Sequence, residues 1–431
     1  MTLAERMRAA LRAPWMPIAL LAVVSVLSLG ARAAWLSDPC AKVCRGPAAH
    51  SMIFDEVYYV NAARRIDGLA VPAKQPYAGD PAGQDPNSEH PQLAKLIIAG
   101  AIDLFGDGPF AWRIGSLLFG SLAILGMFAL ALAAGAGRWC ALLAATLMAS
   151  DNLLLVAGRI GTLDIYVAAF MIWAAALYLS GRPIAGGVLL GLGATTKLVA
   201  PYLLAVLVLY ELVRHRRAGM RAAARALSEL TLAAIAVYFA ALALWDRIAP
   251  PYDPQTGRTI TGGPLAHTER ILSYASGQTS PHGPTGIASY PWDWLVDVKP
   301  INYLNVTVSN GSSRTATVHF LGLISPPMLL FAIPALALAL RGAWRGSGAD
   351  GTAVAWFLGT WVPFAALSLI WQRTSYLYYM VIVMPGIYLA LARAFSRPWM
   401  PRWALGGWLA LVLAATVIAY PFLAFPAVNL W

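Results

Sequence analysis

Asp55 and Glu56 stand side by side in Phe-Asp-Glu-Val-Tyr-Tyr (54–59), in a chain with only 20 acidic residues among 431. They follow the first long apolar run and precede tyrosines and apolar residues at helical spacing, which sets an acidic pair at the edge of a membrane. Taken alone, the pair has two readings: the solvated N-terminal cap of an interfacial helix, or carboxylates kept for chemistry. Further polar residues interrupt or border the apolar runs: His90, Lys95, Arg113, Arg159, Asp164, Lys197 and Arg373, the last shortly before Tyr378. An Arg, Lys or Asp at the centre of a bilayer costs about 2.5–3.5 kcal/mol, and less near an interface. Snorkelling or mutual salt bridges is the plain account of them. It is weakest for Lys197 and Arg373, which have no carboxylate within a helical turn in the sequence.

Cations gathered around a carboxylate suit the displacement of a phosphate leaving group. Arginine and lysine hold phosphate oxygens and stabilise the charge that develops as the bond breaks. With a second pKa near ~6, a phosphate needs little acid assistance to leave. Inverting attack at a sugar carbon then needs one carboxylate to take the acceptor's proton. Adjacent helical residues diverge by about 100°, so Asp55 and Glu56 cannot both aim at that proton. Asp55 is assigned as the base and Glu56 as an orienting or acceptor-binding partner. His90, Lys95, Arg113, Arg159, Lys197, Arg373 and Tyr378 are the candidates for holding the substrate and its lipid phosphate, with Asp164 structural. No ligand cluster demands a metal, although a divalent ion bridging Asp55 or Glu56 to phosphate is compatible with the sequence.

The elements that must position these residues are membrane spans. The chain is 59% hydrophobic, with apolar runs along its whole length, so an all-α polytopic membrane protein is expected. The net charge is +11, with 26 arginines among 31 basic residues; in such a chain this reflects the positive-inside rule, and nucleic acid is not an expected partner. The arginine-rich N-terminus reads as a cytoplasmic signal anchor. Arginine bookkeeping gives about eleven spans, N-in and C-out, near 16–36, 110–134, 139–150, 163–180, 184–197, 199–213, 226–246, 319–340, 353–371, 376–392 and 403–425. The organisation is then 1–36 for the N-terminus and first span, 37–109 for an outer loop, 110–246 for spans two to seven, 247–318 for a long outer loop, and 319–431 for the remaining spans. Pro91 to Phe105 reads as a short interfacial or re-entrant helix opened by Pro91. The long outer loop is too long for a plain connector and is expected to pack over the outer face. Cys40 and Cys44 suit a local disulfide better than a zinc site with His50.

Six stretches resemble the protein O-mannosyltransferase family, of the GT-C class of lipid-phosphate-sugar-dependent glycosyltransferases: FDEVYY (54–59), HPQLAKLIIAGAIDLFG (90–106), FAWRIGSLLFG (110–120), DNLLLVAGRIGTLDIY (151–166), GLGATTKLVAPY (191–202) and RTSYLYYMVIVMP (373–385). The resemblance implies a membrane enzyme that moves mannose from a polyprenyl or dolichyl phosphate to a serine or threonine hydroxyl. By the same resemblance, Asp55 falls on the catalytic aspartate, and His90, Arg159, Lys197 and Arg373 near the lipid phosphate or donor sugar. This chain departs from the family at Gln92, where a second proline is common, and residues 247–318 are too short for a β-trefoil domain. The short loop points to a bacterial or archaeal member using polyprenyl phosphate in the plasma membrane. Its active site is expected on the extracytoplasmic face, its acceptor being a protein, at a translocon or after release. Relatives of the class that move other sugars onto lipids or glycans stand as the alternative. A transporter or a non-catalytic subunit stands behind both.

Overall fold

The computed structural model describes residues 13–38, 51–215, 219–309 and 315–422. Cys40, Cys44 and His50 lie outside the described residues, so the expected disulfide does too.

Helices stand at all eleven expected spans. They are α1 (Met16–Ala33), α4 (Pro109–Ala133), α5 (Arg138–Ser150), α7 (Asp164–Leu179), α8 (Pro183–Ala194), α9 (Tyr202–Arg214), α10 (Arg221–Ile248), α12 (Pro326–Trp344), α13 (Gly348–Trp371), α14 (Met380–Phe395) and α15 (Arg402–Ile418). Among the described residues, six segments are long and apolar enough to cross a membrane: α1, α4, α10, α12, α13, and α14 with the turn before it. The others, α5, α7, α8, α9 and α15, are shorter, so the number of crossings stays an expectation. A multi-pass membrane protein follows from the apolar helices alone.

The interior is built on α7 and α14. Both are apolar around their whole circumference, as a helix enclosed by other helices must be, and nearly every side chain from Met380 to Phe395 is buried. Beside α7, α8 lies against α10 through Gly187 and Gly191. A Cβ at either would fall 2.3 Å or 2.7 Å from the carbonyl oxygens of Leu230 and Ala234. The spacing of four sets both glycines on one helix face and lets the backbones approach.

Outside the spans, α2 (Glu56–Ile66), α3 (Leu93–Phe105) and α6 (Asn152–Ala157) fill the first outer loop and the turn after α5. The helix α3 begins at Leu93 rather than Pro91, because the Leu93 N–H donates to the Thr195 carbonyl at 3.0 Å while Gln92 is engaged elsewhere. The long outer loop is a structured cover. It contains β1 (Tyr252–Asp253) paired antiparallel with β2 (Arg258–Thr259), then α11 (Gly263–Gly277), then β3 (Ile301–Ser309). The strand β3 pairs antiparallel with β4 (Thr315–Gly322), from Ile301 opposite Gly322 to Ser309 opposite Thr315. The all-α expectation therefore holds for the membrane part and misses a hairpin. Residues 315–322, expected in part as the start of a span, are strand, and the following helix starts at Pro326. The β-branched residues Thr315, Thr317 and Val318 explain this, since such residues favour an extended backbone.

The cover is stitched down on two sides. Asp85 exchanges backbone hydrogen bonds with Pro250 and Tyr252, at 2.9 and 2.8 Å. On the other side Ser280 donates to the Gln372 carbonyl, Thr374 to that of Gln278, and Ser289 to that of Ser375. The first outer loop, the cover and the segment before α14 thus meet around one space.

Candidate active site

That space is a cavity of about 670 Å³. Asp55, Glu89, His90, Lys197, Arg373 and Tyr378 line it, with Tyr58, Tyr59, Tyr202, Tyr274 and Tyr376 among their neighbours. Apolar side chains line it as well, among them Leu198, Val199, Ile271, Leu272, Leu367 and Trp371.

Asp55 occupies the N-cap position of α2, where an aspartate ordinarily accepts a hydrogen bond from the first helical turn. Its side chain makes no such bond and its carboxylate borders the cavity instead. The preceding residue, Phe54, has φ +55°, a left-handed conformation that a bulky residue adopts only when its surroundings hold it there. Tyr303 and Tyr378 do so, with ring centroids 4.5 and 5.6 Å from that of Phe54. Burial pushes the Asp55 carboxyl up to about 7, with Lys197 opposing and Asp164 adding to the shift. A carboxylate in that range accepts a proton efficiently near neutral pH.

Lys197 follows the end of α8 and is 5% exposed. The carboxylate missing from its sequence neighbourhood comes from α7, where Asp164 Oδ1 accepts from Lys197 Nζ at 2.7 Å. The same ammonium lies 5.2 Å from the ring centroids of both Tyr378 and Tyr379. Asp164 therefore pairs with a cavity cation, and Tyr378 lies against that cation as well as lining the cavity.

Arg373 is presented like Asp55, by a left-handed residue before it: Gln372 has φ +53° and closes α13. Its guanidinium donates to the Ala275 carbonyl of α11, which ties the cover to the cavity rim. His90 contributes differently from the expected cation. Burial, then Lys197, Lys95 and Arg373, hold its imidazole well below its ordinary value, so it is a neutral hydrogen-bonding group.

Four expected site residues are turned elsewhere. Glu56 is fully buried and its two oxygens accept four hydrogen bonds, from Ile53 N–H, from Gly161 N–H, and from Arg113 Nε and Nη2, at 2.7–2.8 Å. This carboxylate is saturated and does not line the cavity, so the orienting or acceptor-binding role expected of it does not fit. Arg113 spends its remaining donors on the carbonyls of Leu36, Asp38 and Ser51. Lys95, also fully buried, pairs with Asp85 and donates to the carbonyls of Asn87 and His90. Arg159 donates to the Ala34 carbonyl at 2.8 Å and lies over the rings of Phe320, Tyr420 and Phe422. Arg113, Lys95 and Arg159 fasten loops and helix ends rather than face the cavity, so phosphate binding does not fit their positions.

Comparisons with known proteins bear on the fold and the class. A family model, Glycosyltransferase family 87, matches residues 104–298. A polyprenol-phosphate-mannose–protein mannosyltransferase of Corynebacterium glutamicum is 25% identical, over 94% of this chain and 88% of its own. The solved protein O-mannosyltransferase complex Pmt1–Pmt2 of S. cerevisiae, bound to its sugar donor, is similar with a TM-score of 0.65 at 13% identity, covering 94% of this chain and 89% of that one. The archaeal oligosaccharyltransferase AglB of Archaeoglobus fulgidus is similar with a TM-score of 0.56 at 14% identity, covering 94% of this chain and 55% of that one. The chain is a glycosyltransferase of the GT-C fold. The resemblance to the protein O-mannosyltransferases, drawn from six short motifs, is borne out.

Sequence reasoning missed one acidic residue of this glycosyltransferase. Glu89 lines the cavity next to His90 and accepts from Asn87 Nδ2 at 2.9 Å. Burial holds its carboxyl above the usual range, partly offset by Lys95 and Arg270. Its signal was present in Ser-Glu-His-Pro (88–91), but a glutamate in a polar loop reads as solvated until the cover closes over it. Among the described residues no group of three or more His, Cys, Asp or Glu side chains is arranged to hold a metal ion.

Proposed function

We propose that this enzyme transfers mannose, with inversion, from a polyprenyl phosphate to a serine or threonine hydroxyl of a protein at the extracytoplasmic face of the plasma membrane. The observation that carries the proposal is the uncapped carboxylate of Asp55 in a cavity that Lys197, Arg373 and neutral His90 also line, together with apolar side chains. In this reading Asp55 takes the acceptor proton. Lys197 and Arg373 hold the phosphate and stabilise the charge left on it, while His90 donates a hydrogen bond to it. The apolar side chains take the first units of the lipid chain. The mannose donor and the protein acceptor are proposed from the Corynebacterium relative, whose name states both. The outer face follows from the arginine distribution, which assigns the basic short loops to the cytoplasm.

The test is a transfer assay with the purified enzyme, labelled polyprenyl-phosphate mannose and a serine/threonine-rich peptide, run beside Asp55→Asn. Label in the peptide with wild type alone supports donor, reaction and base together. Donor consumed without labelled peptide moves the acceptor to a lipid or glycan. A donor left intact by wild type, while another lipid-phosphate sugar is consumed, overturns mannose and keeps the enzyme class.

A further inference from the structure

The cavity wall formed by Asn87, Glu89 and His90 is held from outside by a network that the chemistry above does not use. Gln92 is fully buried, and its Nε2 donates to Asp246 Oδ1 at 2.7 Å and to the Ala249 carbonyl at 3.3 Å. That carbonyl can only accept, which fixes the amide with its nitrogen toward α10. The same Asp246 oxygen lies 2.8 Å from Nδ1 of His267, a fully buried residue of α11 in the cover. The other ring nitrogen, Nε2, lies 3.2 Å from the Ser88 carbonyl. A carboxylate oxygen and a backbone carbonyl are both acceptors, so each ring nitrogen of His267 faces an acceptor. The network grips the wall immediately before Glu89 and immediately after Pro91.

We infer that Gln92, Asp246 and His267 form a clamp through which the long outer loop positions His90 against the donor phosphate. The inference rests on the reading of the cavity as the donor site. Gln92 and His267 touch no substrate; they are positioning residues. Without the clamp, Lys95 still anchors the Asn87 and His90 carbonyls from α3, so the wall is expected to shift while the fold persists. Displacement of a binding group by about 1 Å is enough to cost on the order of 100-fold in rate.

The test uses the full-length enzyme and two readouts. In amide hydrogen exchange, which needs no ligand, His267→Ala is expected to lose protection at residues 87–92 while α7 and α14 stay protected. Unchanged exchange at 87–92 overturns the clamp. In the transfer assay, His267→Ala is expected to raise the donor KM by about 10- to 100-fold with little change in acceptor KM. His267→Gln, whose amide nitrogen can reach the Ser88 carbonyl, should recover most of that loss, and His267→Asn, whose shorter amide reaches only Asp246, should recover little. Equal donor and acceptor effects, or no difference between the two amides, overturn the positioning role. Absence of transfer by wild type counts against the proposed reaction, and the exchange measurement still decides the clamp.

Discussion

Asp55 and Glu56 are neighbours in the chain and opposites in the fold. One lies at the wall of a wide cavity with its carboxylate uncapped and its ordinary acidity suppressed; the other is sealed among four donors. The two surroundings teach what each carboxylate is for. A saturated, buried ion pair contributes little net stability relative to an apolar pair, but removing one partner strands a charge. An unsaturated carboxylate at a cavity is a standing cost to the fold and remains available for proton transfer. The same contrast separates Lys197 from Lys95: both are buried and paired with an aspartate, but only Lys197 faces the cavity.

The comparison is broken most directly at the pair itself. Asp55→Asn is expected to lower turnover by about 10²- to 10⁴-fold without lowering the melting temperature, since it removes a carboxylate that burial disfavours. A large loss of stability in that variant would return Asp55 to a structural role. Glu56→Ala is expected to do the reverse. It strands Arg113, costs about 3–5 kcal/mol of stability, and lowers activity only as far as folded enzyme is lost; thermal unfolding beside specific activity per folded molecule separates the two.

Smaller effects sharpen the contrast among the cations. Lys197→Ala is expected to weaken polyprenyl-phosphate binding by about 10-fold or more, as loss of a charge-assisted contact does. Arg159→Lys should leave that binding unchanged, because its guanidinium is spent on the Ala34 carbonyl and aromatic rings. Equal effects of the two substitutions on lipid binding would dissolve the distinction between cavity and fastening cations. The mildest probe is pH. Asp55 acts deprotonated, and its carboxyl is raised from 3.8 to about 7. Activity should therefore fall about tenfold per unit below pH ~7 and level off above it. The sign is opposite for stability: a raised carboxyl favours the folded state at low pH, and that contribution fades as pH rises toward 7. An acid limb near pH ~4 would mean a solvated Asp55.

Much of this was legible in the chain. The apolar runs located the helices, because hydrocarbon demands internally satisfied backbone over a fixed thickness. Rare ionisable residues beside those runs marked where function or fastening must lie, and six motifs in order identified the class. Asp55, Lys197 and Arg373, which the fold gathers at one cavity, were all singled out from the sequence. What the sequence left undecided was the direction in which each rare charge points. Lys197 lacked a carboxylate within a helical turn, yet Asp164, 33 residues away, supplies one; Glu89 looked like loop surface until residues 247–309 folded over it. Period and composition report which residues share a face of their own helix. Which carboxylate is saturated and which stays open is settled by contacts between elements distant in sequence, and for this chain only the packing of the outer loops against the helix ends decided it.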